Sequence, residues 1–343
     1  MSLSDYHASV GDWRAQLRRN ERKTRWVIAL FILIYTVVGL IVDAIVLEEM
    51  AYPQISLEQA LYALVTLKAT PYATLLMFSF AVISLLITYA MYDKIMLLGT
   101  DSHEITPENA RDLREKQLYN VVEEMKVAAG LRFMPKVYLI EANYMNAFAS
   151  GYSEKSAMVA ITRGLMEKLD RAEMQAVMAH ELSHIRHHDI KLTLMVAVLS
   201  NILLIVVDVL FYSVVFGRDN NRRDQNQFAL VIIFLRYLLP LITVVLALFL
   251  SRTREYMADS GAVELMRDNE PMARALLKIS DDNQLHAEQY IQEYGNTAHE
   301  QVRQSSYLFD PSSIDPVKSF NNAFSTHPGI EDRLKALGFT RKS

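Results

Sequence analysis

The chain has 343 residues, 51% of them apolar, with a mean hydropathy of +0.10 and a formal net charge of −4. That is too apolar for an ordinary soluble enzyme and too polar for a pure membrane bundle, so a mixed protein is expected. The near-balanced charge carries no nucleic-acid footprint, and a sequence without cysteine excludes disulfide frameworks and thiolate metal sites, leaving His, Asp and Glu to hold any transition metal.

Four runs are long enough to cross a bilayer, which takes roughly 20 apolar residues per helix. They cover about residues 27–47, 72–98, 190–216 and 228–250. The first is too long for a cleaved signal peptide, and no small-residue cleavage site follows it. Arg14, Arg18, Arg19, Arg22, Lys23 and Arg25 cluster at its start, whereas the loop after it carries Lys68 against Glu48, Glu49 and Glu58. Basic residues stay on the cytoplasmic side, so the N-terminus is expected inside and, after four crossings, the C-terminus too. Arg218, Arg222 and Arg223 in the loop at 217–227 run against this orientation, but the first helix usually dominates. Asp208 and Arg236 interrupt the third and fourth runs at depths that differ by roughly 6 Å, so their side chains can pair; an ion pair that fastens a helical hairpin is favoured over a polar element in a substrate path.

A soluble segment, about 99–189, separates the second and third runs. Thr106 and Pro107 read as the N-cap and first position of a long helix that ends before Gly130. Residues 136–140 (KVYLI) and 157–162 (AMVAIT) read as short strands. Asp170 with Glu173 forms a capping-box-like helix start. After the fourth run, 251–267 and 271–279 read as helices, 281–325 as a polar irregular lid or insertion, and 330–337 as a final short helix.

The helix expected after Asp170 contains His180-Glu181-Leu182-Ser183-His184. Residues four apart share a helical face, so both imidazoles can reach one cation. Glu181 projects beside that cation and can take a proton from an activated water. By composition alone this five-residue pattern arises in roughly one chain in a hundred of this length; its place on an amphipathic helix with a proper start favours a metal site over a surface helix. A catalytic zinc site needs a third protein ligand and one open position. The metzincin arrangement requires Gly at 187 and His at 190, where this chain has His187 and Ile190. Topology offers Glu255 instead: the fourth run returns the chain to the membrane side it left after His184. Asp259, one helical turn further, can bond a ligand imidazole and fix its tautomer. His187 and His188 read as interfacial or solvated, and His286 and His299 as part of the polar insertion. His7 and His103 belong to no constellation.

Together these residues resemble the HtpX-type integral-membrane zinc metallopeptidases, relatives of the CAAX prenyl proteases and of the mitochondrial membrane protease Oma. The motifs are NAFASG at 146–151, HELSH at 180–184, SRTREYMAD at 251–259 and STHPGIEDRL at 325–334. The resemblance spans the chain from about the first apolar run to Leu337. It implies an α-helical membrane protein with four transmembrane helices and a mainly α, gluzincin-like α+β catalytic domain with a small sheet. One Zn2+ per chain would be held by His180, His184 and Glu255, with Glu181 as general base and Asp259 behind the ligands. The substrate would bind as an added strand along Asn146, Ala147, Phe148 and Ala149, with Asn146 contacting the peptide. His327 would stand near the developing oxyanion, supported by Arg333. Ser150 replaces the family's usual Thr, and Gly329 stands where a second Pro is common.

The expected organisation is an N-terminal cytoplasmic extension (1–26), transmembrane helices 1 and 2 (27–98), a first catalytic part (99–189), transmembrane helices 3 and 4 (190–250) and a second catalytic part (251–343). The expected activity is quality-control endopeptidase cleavage of membrane or misfolded proteins, at the cytoplasmic face of a bacterial inner membrane. Its partners would be polypeptide substrates and the lipid bilayer. The alternatives are a processing peptidase for a defined membrane or lipidated peptide, and a catalytically silent zinc-binding scaffold. The intact Glu181 speaks against the scaffold, and the number of spans, smaller than in the seven-helix CAAX proteases, speaks against prenyl-peptide processing.

Overall fold

The computed structural model describes residues 3–8, 13–51, 55–151, 153–216, 225–296, 303, 306–309 and 327–342. Most of residues 217–227 with its arginines, His299 and residues 310–326 of the polar segment lie outside them. The chain forms two compact units: Met1–Lys23, Tyr89–Leu192 and Leu248–Ser343 make one, Thr24–Thr88 and Thr193–Ala247 the other.

In the first unit, β1 (Tyr6–Ala8) pairs antiparallel with β6 (Phe339–Arg341), tying the N-terminal segment to the C-terminal one. A second, four-stranded sheet contains β2 (Ser102–Ile105), β3 (Lys136–Ile140), β4 (Ala147–Ser150) and β5 (Met158–Thr162) in the order β2-β3-β5-β4. Only β3 and β5 run parallel. All five residues of β5 are buried, as suits a continuous apolar run between two neighbours. β4 forms one end of the sheet.

One helical start differs from the sequence reading. Helix α4 (Leu113–Ala129) begins well after Thr106. The Asn109 side chain accepts from the Thr106 N–H at 2.6 Å and donates to the Glu104 carbonyl at 2.8 Å, which holds this stretch in a turn. Asp112 then caps the helix by accepting from the Glu115 N–H at 2.8 Å. Its end is as expected: Gly130 has φ of 71°, a left-handed conformation that costs glycine little. Helix α5 (Arg163–Lys168) follows β5 directly, capped by Thr162. Helix α6 (Arg171–Arg186) opens on a complete capping box between Asp170 and Glu173 and packs on α4 and β4.

The reading of 281–325 as irregular is corrected at its start. Helix α9 (Glu270–Leu285) runs past 281, and α10 (Ala287–Asn296) follows it. The polar composition hides a narrow stripe, Tyr290 and Tyr294 at i and i+4, both buried beside Tyr144. Helix α11 (Ile330–Ala336) precedes β6.

All four apolar runs are helical: α1 (Trp13–Ala51), α3 (Tyr72–Leu97), α7 (Asp189–Phe216) and α8 (Gln225–Met266), which continues through Pro240. Among the described residues, one stretch, Ile232–Met266, is long and apolar enough to cross a membrane. A short helix, α2 (Leu57–Val65), lies in what read as a plain loop, and its start carries a Ser56–Gln59 capping box. In the second unit, the buried Asp43 carboxylate accepts from the Ala73 and Thr74 N–H groups at 2.6 and 2.9 Å, where the first turn of α3 has amides with no intrahelical partner. Asp208 and Arg236 pair at 2.9 Å, as their depths predicted.

Candidate metal centre

Helix α6 presents His180 and His184 one turn apart, and Glu255 comes from the stretch of α8 that packs beside it. That approach depends on Gly261. A Cβ there would lie 2.4 Å from Ser183 Oγ and 2.8 Å from its Cβ, so only glycine lets the two helices close at this level. The Nε2 atoms of His180 and His184 are 3.2 Å apart, and each lies 3.6 Å from a Glu255 carboxylate oxygen. The nearest oxygen is Oε2 for His180 and Oε1 for His184, and one ligand atom from each of the three residues lies within 4.8 Å of the others, close enough to share one ion. Among the described residues these three form the cluster able to hold a metal ion.

Each imidazole is oriented through its other nitrogen. His180 Nδ1 lies 3.0 Å from Asp259 Oδ1, and His184 Nδ1 lies 2.9 Å from Asp189 Oδ2. Both contacts turn Nε2 toward the shared point. Burial pushes the His180 imidazole down, yet its bonds to Asp259 and Glu255 outweigh that and raise its pKa to about 9. A cation at Nε2 competes with that proton, so metal uptake is coupled to proton release.

Glu181 is 1% exposed, and its carboxylate has no side-chain hydrogen-bond partner among the described residues; the main chain of Ala149 favours its charged form. Burial raises its pKa, against the pull of His180 and His184. A carboxylate buried this deeply with so few partners is costly to keep charged. Arg333 is fully buried and grips Asp259 with two bonds, at 2.9 and 2.6 Å, while its Nη1 lies 3.6 Å from Glu255. His327 Nε2 lies 3.9 Å from Glu255. The structure thus brings together His180, Glu181, His184, Glu255, Asp259, His327 and Arg333.

The β4 residues are arranged differently. Ala147, Phe148 and Ala149 are buried, and the Asn146 side chain is bonded to Tyr294 and to the main chain of Phe309. Sequence reading missed Asp189 and Arg254, whose guanidinium donates to the Asp189 carbonyl at 3.0 Å. Asp189 stands just past the break at His188, which has φ of 55°, and no glycine or proline marks that break. His187 and His188 stay out of the cluster, and His103 pairs with Glu115 at 3.3 Å.

Two imidazoles and one carboxylate that could hold a metal ion lie beside a buried glutamate, an arrangement able to serve metal-dependent hydrolysis. The profile of Peptidase family M48 matches residues 112–340. A protease HtpX homolog of Helicobacter pylori strain J99 is 40% identical over 94% of this chain and 96% of its own length. One from Dictyoglomus thermophilum is 36% identical over 73% of this chain and 76% of its own. A lower likeness in structure, with a TM-score of 0.48 and 19% identity, is to the crystal structure of S. mikatae Ste24p, covering 76% of this chain and 57% of that one. The chain belongs to peptidase family M48, and its activity is that of a membrane metalloprotease.

Proposed function

We propose that the chain is a zinc endopeptidase in which His180, His184 and Glu255 hold the ion and Glu181 is the general base. One observation carries this: donor atoms of His180, His184 and Glu255 converge within 4.8 Å of one another beside the buried Glu181 carboxylate. When bound, zinc supplies Lewis acidity that acidifies water and polarises the peptide carbonyl. Glu181 takes the proton of the attacking water and passes it to the leaving nitrogen. His327 donates to the carbonyl oxygen as its charge grows, and Arg333 holds Asp259 and hence His180 in place.

The chain crosses the membrane four times in this reading, with its N-terminus, C-terminus and metal centre on the cytoplasmic side of a bacterial inner membrane. Large apolar side chains that face outward in the second unit, such as Leu76 (71% exposed) and Phe234 (62%), support lipid contact. The substrates are membrane or misfolded polypeptides, and the role is quality control.

The test is the full chain purified in detergent with Glu181→Gln and Glu255→Ala. The Gln variant keeps its zinc and loses casein cleavage by at least about 100-fold, whereas Glu255→Ala loses the zinc. Equal cleavage by wild type and Glu181→Gln refutes the mechanism, and full zinc retention by Glu255→Ala removes Glu255 as a ligand.

A further inference from the structure

Strand β4 ends its sheet, and its outer edge is covered by the chain itself. The Thr162 N–H donates to the Asn146 carbonyl at 3.0 Å, so the main chain of Asn146 faces β5. Alternation along a strand then turns Ala147 and Ala149 toward the open edge. There the Leu308 N–H donates to the Ala147 carbonyl at 2.9 Å. Arg333 Nη1 donates to the Leu308 carbonyl, also at 2.9 Å. The next residue is held from both sides: Asn146 Oδ1 accepts from the Phe309 N–H at 3.1 Å, and Asn146 Nδ2 donates to the Phe309 carbonyl at 2.9 Å.

All four contacts go to the main chain of two consecutive residues. A side-chain amide that offers one donor and one acceptor to a single residue reproduces what a neighbouring strand offers. Such a grip accepts an extended peptide whatever its sequence, which is how an added strand is held. The place is also right for chemistry, because the guanidinium on the Leu308 carbonyl is 3.6 Å from Glu255. Class preference comes from the surroundings: Tyr307, Leu308 and Phe309 are all buried, and Tyr307 packs edge-on against Tyr144, Phe148 and Tyr294.

We propose that Tyr307, Leu308 and Phe309 are the chain's own occupant of its peptide-binding edge, and that an extended, apolar polypeptide segment must displace them to reach the metal centre. The inference rests on the peptidase reading above. Asn146, Ala147 and Arg333 form the grip, and the internal segment competes with substrate for it. Folded proteins cannot present such a segment, so the device selects unfolded apolar stretches.

The decisive measurement is hydrogen–deuterium exchange on the full-length Glu181→Gln protein in detergent, with and without a saturating unfolded casein peptide. Bound peptide is expected to raise the exchange rate of the Leu308 and Phe309 amides at least about tenfold. Unchanged protection while peptide is bound overturns the proposal. The second arm is Leu308→Pro in the otherwise wild-type chain, which removes the N–H that bonds Ala147. Losing one neutral hydrogen bond from the internal occupant is expected to lower KM for the peptide roughly 2- to 10-fold at unchanged kcat. An equal or higher KM at wild-type Tm overturns the proposal, and if this variant does not fold, the exchange result decides alone. A wild-type chain that cuts no peptide brings down the peptidase reading and this inference with it, whereas cleavage with persistent protection brings down this inference only.

Discussion

Replacing Asp189 by Ala separates support of a ligand from support of the fold. Asp189 bonds His184 Nδ1 at 2.9 Å, and the corresponding partner of His180 is Asp259 at 3.0 Å. Loss of such a partner lowers metal affinity about 10- to 100-fold, or roughly 1.4–2.7 kcal/mol. The two aspartates differ in what else they hold. Asp189 is in the first turn of α7, where its charge adds about 0.3–1 kcal/mol, and its contact with Arg254 is through the main-chain carbonyl, which substitution leaves in place. Asp259 neutralises the buried Arg333, and removing one partner of a buried pair costs about 3–5 kcal/mol. Zinc competition with a chromophoric chelator and thermal unfolding, each on the detergent-purified chain, read the two effects apart. Asp189→Ala is expected to weaken zinc binding with a small change in Tm, Asp189→Asn to weaken it less because an acceptor oxygen remains, and Asp259→Ala to lose both zinc and stability. If Asp189→Ala binds zinc within threefold of wild type, the orienting role is wrong. If Asp259→Ala unfolds no earlier than Asp189→Ala, the weight given to the buried Arg333 is wrong.

Gly261→Ala is expected to cost about 1–3 kcal/mol, because its methyl group overlaps Ser183 and separates α6 from α8, and to weaken zinc binding along with stability. Adding Ser183→Gly should restore part of both; no recovery would place the damage elsewhere. The Glu141 carboxylate is held below the usual range mainly by its hydrogen bond to Arg163. A carboxyl group with a lowered folded pKa adds stability above its unfolded value near pH 4.3, and loses it as pH falls through the lowered value. Arg163→Gln should therefore make the fall in Tm between about pH 5 and pH 3 shallower, and an unchanged slope would assign the acid sensitivity to other groups.

Much of this centre is legible along the chain because helical periodicity is local. His180 and His184 need only a helix to share a face, and Asp170 with Glu173 marks where that helix begins. Likewise Lys136–Ile140 announces itself as a strand by branched apolar residues, and the depths of Asp208 and Arg236 foretell their pairing. The false start at Thr106 shows the limit of local rules: Pro107 permits a helix there, but the Asn109 side chain offers the turn better-placed bonds, and Asp112 competes as cap. The helix at Ala287–Asn296 escapes for another reason, since tyrosines spaced four apart carry its buried stripe within a polar composition.

What the sequence by itself determined is the chemistry available: no thiol, a pair of imidazoles one helical turn apart, and a glutamate between them. Only the tertiary structure decided the distances that make this a centre. Glu255 joins the two histidines because Gly261 removes a side chain where α6 and α8 meet, Asp189 reaches His184 across a backbone break, and Leu308 with Phe309 lies along β4 under the grip of Asn146 and Arg333. Such contacts join residues far apart in the chain or across an irregular turn, and no periodicity encodes them. They exist only once packing has removed the alternatives.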